Sequence, residues 1–180
     1  CYKIPRTRLR EASSLHGIKN NGIYILFGED GLTGNDIAYI GKSTNVLSRL
    51  DEHKRKKDFW SEALIFVTEN NNINPAHIAF LEYDLCKLAK EINKETNRYI
   101  VVNDQQPKDP NLSTAEKIKA KRFEEKVIVM ISALKYRVFD KFYETKEITI
   151  DNENILYLKL GGEIYGKGIV TDEGFLVLKG

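Results

Sequence analysis

Cysteine is scarce in this chain, and its placement excludes two classes of small protein. The sequence has only Cys1 and Cys86. These are too few for a disulfide framework, and they do not have the C-x-x-C spacing of a zinc site. Few cysteines suit a reducing compartment, so we expect a cytoplasmic protein.

Long hydrophobic runs are also missing. The longest apolar stretch, residues 127–134, contains Ser132 and is far too short to cross a bilayer. No secretory leader is visible, so we expect no membrane partner. The chain does not begin with Met, and we expect further residues upstream.

A large excess of one charge is missing as well. The net charge of +2 over 180 residues excludes a uniformly basic body, so any contact with nucleic acid must come from a local patch. The clearest patch is residues 54–57, which are Lys54, Arg55, Lys56 and Lys57. Such a cluster could contact phosphates, or could simply complement the C-terminus of a helix.

Hydrophobic periodicity and turn residues predict alternating strands and helices up to residue 140. Strands are predicted at 22–27, 37–40 and 59–68, the first two forming an antiparallel hairpin across a Gly- and Asp-rich loop. Helices are predicted from a Ser43 or Thr44 cap to about 57, from an Asn74 cap to about 93, and from a Ser113 cap to about 136. We therefore expect an α+β fold, with a three-stranded antiparallel sheet flanked by helices. Residues 1–20 are interpreted as a lead-in, and 98–110 as a loop.

The sequence pattern changes near residue 147. Short strands are predicted at 148–150, 155–160, 164–170 and 175–179, with turn residues between them. This predicts a first domain over 1–140 and a small β unit over 141–180. A unit of about 40 residues is near the lower limit for folding alone. It should therefore dock on the first domain, dimerise, or continue beyond residue 180.

Periodicity places three polar side chains where a phosphodiester-cleaving site would need them. Such a site needs positive charge near the phosphoryl oxygens, a group that orients water, and usually a metal. Arg49 and His53 are spaced i, i+4 on one helix face, and Glu82 lies on the inner shoulder of the next helix. Each has an ordinary alternative: Arg49 could extend to solvent, and Glu82 could form a structural ion pair.

The ordered set of residues resembles the GIY-YIG nuclease family. The signature corresponds to Gly22-Ile23-Tyr24 followed by Tyr39-Ile40-Gly41. The similarity continues through Lys42, through Arg49 ten residues after Tyr39, and through His53, Glu82 and Asn103. The chain is most similar to a bacterial subgroup with a small C-terminal domain of unknown function. One departure is the stretch at 25–38, which is longer than is usual in the family.

The resemblance implies a metal-dependent endonuclease that hydrolyses phosphodiester bonds in nucleic acid, with DNA as the expected substrate. Glu82 would bind one divalent cation, Mg²⁺ or Mn²⁺, and Arg49 would offset phosphoryl charge. Tyr24 or Tyr39 would activate water, helped by His53 or Lys42. Asn103 would orient the site by hydrogen bonds.

The sequence leaves several alternatives open. The same fold could serve as a catalytically inactive nucleic-acid-binding module, or as a plain interaction domain whose tyrosines are core residues. The residues do not distinguish DNA from RNA or one strand from two. They do not identify which tyrosine is the base, and they do not give the cellular role or the oligomeric state.

Overall fold

The computed structural model describes residues 1–68, 72–103 and 107–141, together with the backbone of three strands at 155–160, 163–171 and 174–178. The chain divides into two compact units, Cys1–Phe142 and Tyr143–Gly180. The first unit consists of β1 (Tyr2–Pro5), a 3₁₀ helix (Arg6–Ser14), β2 (Gly22–Glu29), β3 (Asp36–Ser43), α1 (Val46–Lys56), β4 (Trp60–Val67), α2 (Pro75–Thr96), β5 (Ile100–Val101) and α3 (Thr114–Ala133).

The α+β class is confirmed, but the predicted three-stranded sheet is too small. The sheet has five strands in the order β1-β4-β2-β3-β5. The pairs β1–β4, β4–β2 and β2–β3 are antiparallel, whereas β5 is parallel to β3, so the sheet is mixed. Residues 1–20 are therefore more than a lead-in, since they supply β1 and the 3₁₀ helix, and the predicted loop at 98–110 contains β5.

Strand β2 lies at the centre of the sheet and is buried on both faces. Ile23 and Ile25 pack into a cluster with α2 and α3. Tyr24 and Leu26 alternate to the other face and pack with α1 and the 3₁₀ helix. Successive side chains of a strand point to opposite faces, so an apolar run of this kind forms two cores. Tyr24 is thereby directed toward α1.

The β2–β3 hairpin ends in an exposed loop at residues 30–35. Asp30 Oδ1 accepts a hydrogen bond of 2.8 Å from the Leu32 backbone N–H, and Gly34 adopts a positive φ of 70°. Leu32 is 98% exposed. The register pairs Glu29 with Asp36 beside this loop. The signature residues lie toward the other end of the hairpin, where Tyr24 pairs with Gly41.

Two of the three helix starts are confirmed. Asn74 and Ser113 cap α2 and α3, each within a capping box. The predicted cap of α1 is wrong. Asn45 accepts from the Ser48 N–H, because β3 extends through Ser43, whose hydroxyl donates to the Asn45 carbonyl at 2.8 Å. α3 ends at Ala133, earlier than the predicted 136.

The second unit contains β6 (Ile155–Leu160), β7 (Glu163–Thr171) and β8 (Gly174–Leu178), which form an antiparallel sheet in that order. These strands agree with three of the four predicted there; the fourth, at 148–150, lies outside the described residues. None of the helices in the described part of the chain combines the length and the apolar character that a bilayer-spanning segment needs.

Candidate active site

A cavity of about 610 Å³ opens where β3, α1, α2 and the segment after β5 meet. Five of its lining side chains are cationic, two are carboxylates, and the others are aromatic, amide, imidazole or proline. They are Tyr39, Lys42, Arg49, Glu52, His53, Lys56, Lys57, Glu82, Asn103, Pro107 and Lys108. The cavity is therefore basic although the whole chain is nearly neutral.

Most of the residues singled out in the sequence line this cavity. They are Tyr39, Lys42, Arg49, His53, Lys56, Lys57, Glu82 and Asn103. Three do not line it. Tyr24 is buried. Arg55 is exposed and Lys54 is half-buried. Only the C-terminal end of the basic cluster, Lys56 and Lys57, thus faces the cavity.

Tyr24 and His53 form a buried pair beside Tyr39. The Tyr24 hydroxyl lies 2.7 Å from His53 Nε2, and the Tyr39 ring centroid lies 6.3 Å from that of Tyr24 and 5.1 Å from that of His53. Gly41 is the cross-strand partner of Tyr24. A Cβ atom at Gly41 would collide with the Tyr24 ring. The glycine of the second tripeptide therefore makes room for the tyrosine of the first.

Burial controls the protonation of this aromatic group. It raises the pKa of Tyr24, and the neighbouring Tyr39 raises it further. It also raises the pKa of Tyr39, although Arg49 partly offsets this effect. Burial, followed by Arg49 and Lys57, lowers the pKa of His53 to about 4. At neutral pH both tyrosines keep their protons and His53 is uncharged, so its Nε2 can accept a hydrogen bond from the Tyr24 hydroxyl.

Arg49 belongs to a three-residue ion-pair group along α1. It pairs with Glu52, whose other oxygen accepts from Lys56 Nζ at 2.6 Å. Lys56 and Arg49 lower the pKa of Glu52 to about 2. Burial alone would lower the pKa of Arg49, but contacts with Tyr24 and Glu52 raise it overall. The sequence reasoning missed Glu52, although its i, i+3 and i, i+4 spacing to the two cations was a usable signal.

Glu82 presents a carboxylate to the cavity from α2. Its side chain is 13% exposed, and Oε2 accepts from Lys42 Nζ at 2.5 Å. Among the described residues, no three His, Cys, Asp or Glu side chains gather as a metal-binding group. One carboxylate beside an open cavity still suits Mg²⁺, which keeps several waters when protein-bound. Glu82 could therefore hold such an ion if Lys42 Nζ moved away from its Oε2.

Asn103 connects the cavity wall to the signature strand. Its Nδ2 donates to the Ile40 carbonyl at 2.6 Å, and its Oδ1 accepts from the Ile40 N–H at 3.1 Å. The Asn103 carbonyl accepts from Lys90 Nζ at 3.2 Å. The buried amide side chain thus pairs with β3 like one more strand residue, between Tyr39 and Gly41.

Comparisons of the chain with known protein families, with curated proteins and with solved structures find no match.

Proposed function

We propose that the protein is a metal-dependent endonuclease of the GIY-YIG type, which hydrolyses phosphodiester bonds in nucleic acid, with DNA as the expected substrate. One observation carries the proposal: Tyr39, Arg49 and Glu82 come from three different elements and line a single basic cavity. A phosphodiester brings negative charge, and this cavity offers a hydroxyl, a guanidinium and a carboxylate to one reacting group.

The finer fold assignment belongs to the same proposal. The two tripeptides lie on adjacent antiparallel strands, with Gly22–Tyr24 in β2 and Tyr39–Gly41 in β3. Helices pack on both faces of this sheet. Register, rather than loop length, sets the relation of the two tyrosines, so the long loop at 30–35 is compatible with a GIY-YIG arrangement. Such an enzyme would act in the cytoplasm.

In the proposed reaction five of the lining side chains act directly on the phosphate, the attacking water or the cation. Arg49, Lys56 and Lys57 bind the phosphoryl oxygens and offset the charge that develops on them. The Tyr39 hydroxyl orients the attacking water. Glu82 would hold Mg²⁺ or Mn²⁺, which when bound supplies positive charge to the leaving oxygen.

Behind these side chains, the buried Tyr24–His53 pair packs against the Tyr39 ring. Asn103 fixes the backbone of the strand that carries Tyr39. Both contacts hold the water-orienting hydroxyl in place, and fixed geometry of this kind is a large part of catalysis at a phosphoryl centre.

Nicking of supercoiled plasmid with Mg²⁺ or Mn²⁺ tests the proposal. Arg49→Ala and Glu82→Ala should each lose at least about 10²-fold in rate, because each removes charge that acts on the transition state. EDTA should abolish cleavage by the unchanged protein. Arg122→Ala and Glu125→Ala are matched controls, since both side chains are exposed on α3 and neither lines the cavity. Equal cleavage by all five proteins would contradict the assignment.

A second candidate, from a different functional class, is a binding module that does not cut. One observation favours it: Lys42 Nζ is paired with Oε2 of Glu82, one of the two carboxylate oxygens that could bind a cation. This candidate predicts salt-sensitive binding of nucleic acid without cleavage in either metal. The plasmid assay and a binding titration, run on the same protein, separate the two candidates.

A further inference from the structure

The cavity contains a carboxylate for which the proposed reaction has no task. Of the two lining carboxylates, Glu82 is assigned to the cation, whereas Glu52 lies on α1 between Arg49 and Lys56. Its two oxygens are divided between these cations: Oε2 contacts Arg49 Nη1, and Oε1 contacts Lys56 Nζ at 2.6 Å. An acid in this position reduces the positive charge that the cavity offers to a phosphate.

The same contact restricts Arg49. The arginine side chain is 39% exposed and the Glu52 side chain 31%, so on the solvent side of the guanidinium Glu52 adds a restraint to the contact that Arg49 makes with Tyr24. A long side chain loses rotamer entropy when it is fixed. Glu52 engages Nη1, and a guanidinium carries five N–H donors. Other donors are therefore left for a ligand while the group is held in place.

We propose that Glu52 is a positioning residue, which holds Arg49 at the cavity wall and at the same time weakens phosphate binding. This inference rests on the proposed function of the cavity. Removing Glu52 should therefore have two opposite consequences. Loss of its negative charge tightens the binding of phosphate, whereas loss of its contact releases Arg49 and lowers kcat. They separate when the glutamate is changed to glutamine, which keeps an oxygen acceptor, or to alanine, which does not.

The experiment compares Glu52→Gln and Glu52→Ala in the full chain. Asp51→Asn is the matched control, because Asp51 is an exposed acid on the same helix and does not line the cavity. The Kd for a labelled duplex is measured in EDTA by fluorescence anisotropy, and kcat and KM are measured with Mg²⁺. Both Glu52 variants should tighten Kd about fivefold at low salt. The kcat should fall about tenfold in Glu52→Ala and about twofold in Glu52→Gln.

Two results would overturn the inference and leave the proposed function standing. One is cleavage by the original protein together with an unchanged Kd and kcat in Glu52→Ala. The other is a gain in affinity in Asp51→Asn as large as in Glu52→Gln, since the effect would then be one of overall charge.

A different result, in which the original protein neither binds nor cuts, contradicts the proposed function instead. The ¹⁵N relaxation of Arg49 Nε then tests whether Glu52 restricts the guanidinium, independently of any activity. The guanidinium should be restricted in the original protein and in Glu52→Gln, and mobile in Glu52→Ala. Equal mobility in all three would overturn the positioning role.

Discussion

Tyr24 and Tyr39, which have the same side chain and neighbouring positions, have different surroundings. Tyr24 is 1% exposed and its hydroxyl contacts His53. Tyr39 lines the cavity, and Lys57 Nζ lies 4.6 Å from its ring centroid. Only Tyr39 therefore presents its side chain to the cavity, which makes it the better candidate for orienting the attacking water.

Replacing each tyrosine by phenylalanine should give two different defects. Tyr39→Phe should reduce cleavage about 10²-fold, because the hydroxyl that orients the attacking water is lost, with little change in stability. Tyr24→Phe should lower the free energy of unfolding by about 1–3 kcal/mol, because the buried His53 Nε2 loses its partner. Urea denaturation and plasmid nicking measure the two effects. A larger loss of cleavage from Tyr24→Phe at full stability would reverse the assignment.

Spacing along one helix predicted part of this site. The i, i+4 relation put Arg49 and His53 on one face, and both do line the cavity. Contacts between distant residues were beyond such reasoning. Lys42 and Glu82 are 40 residues apart, and only the packing of α2 against β3 brings them together. Which tyrosine faces the cavity likewise follows from the tertiary packing of α1.

Between helices, α2 and α3 enclose a buried acid. Glu124 is 4% exposed, and Lys121 Nζ lies 3.0 Å from its Oε1 while also contacting Asp84 of α2. Burial raises the pKa of Glu124 above its ordinary value of 4.5, Lys121 partly offsets this effect, and Asp84 adds to it. Ionisation of Glu124 thus opposes the packing of these helices.

The contribution of Glu124 to the free energy of unfolding should therefore fall as pH rises above about 4.5. In that range the unfolded chain releases the Glu124 proton while the folded chain keeps it, until the raised pKa is passed. Glu124→Gln stays neutral, so its free energy of unfolding relative to the original protein should rise by about 1–2 kcal/mol between pH 5 and pH 8. Urea denaturation at the two pH values measures this difference. Glu125→Gln, at an exposed neighbour, should show little change, and a pH-independent difference for Glu124→Gln would contradict the explanation.

Helices whose caps are set by neighbouring residues were predictable from the sequence, whereas short strands that form only by pairing with a distant strand were not. The caps of α2 and α3 are coded by neighbouring residues, Asn74 and Ser113, and were found. β5 has two residues and exists only because β3 offers an edge. β1 likewise becomes a strand only by pairing with β4, and its Lys3 is paired with Leu64, 61 residues further along the chain. No periodicity within such short segments reveals the partner.

For the molecule as a whole, the first unit has everything needed for a cooperative core. Its sheet uses residues between 2 and 101, and two buried clusters cover the two faces. A chain that ends after Phe142 should therefore unfold in one transition, with a midpoint within about 5 °C of the corresponding transition in the full chain. Circular dichroism during heating measures this. A broad, non-cooperative transition would show that residues 143–180 are required for folding.

The exposed loop of the β2–β3 hairpin offers a place for a spectroscopic probe. Leu32 is 98% exposed. Glu29, at the loop end of β2, lies five positions after Tyr24, a distance of about 17 Å along the strand. A cysteine at position 32 would carry a thiol-reactive dye, once exposed Cys1 is replaced and while Cys86 stays buried. That separation suits energy transfer to a labelled oligonucleotide. The hairpin would then report binding from one end while its other end, at the cavity, stays chemically unaltered.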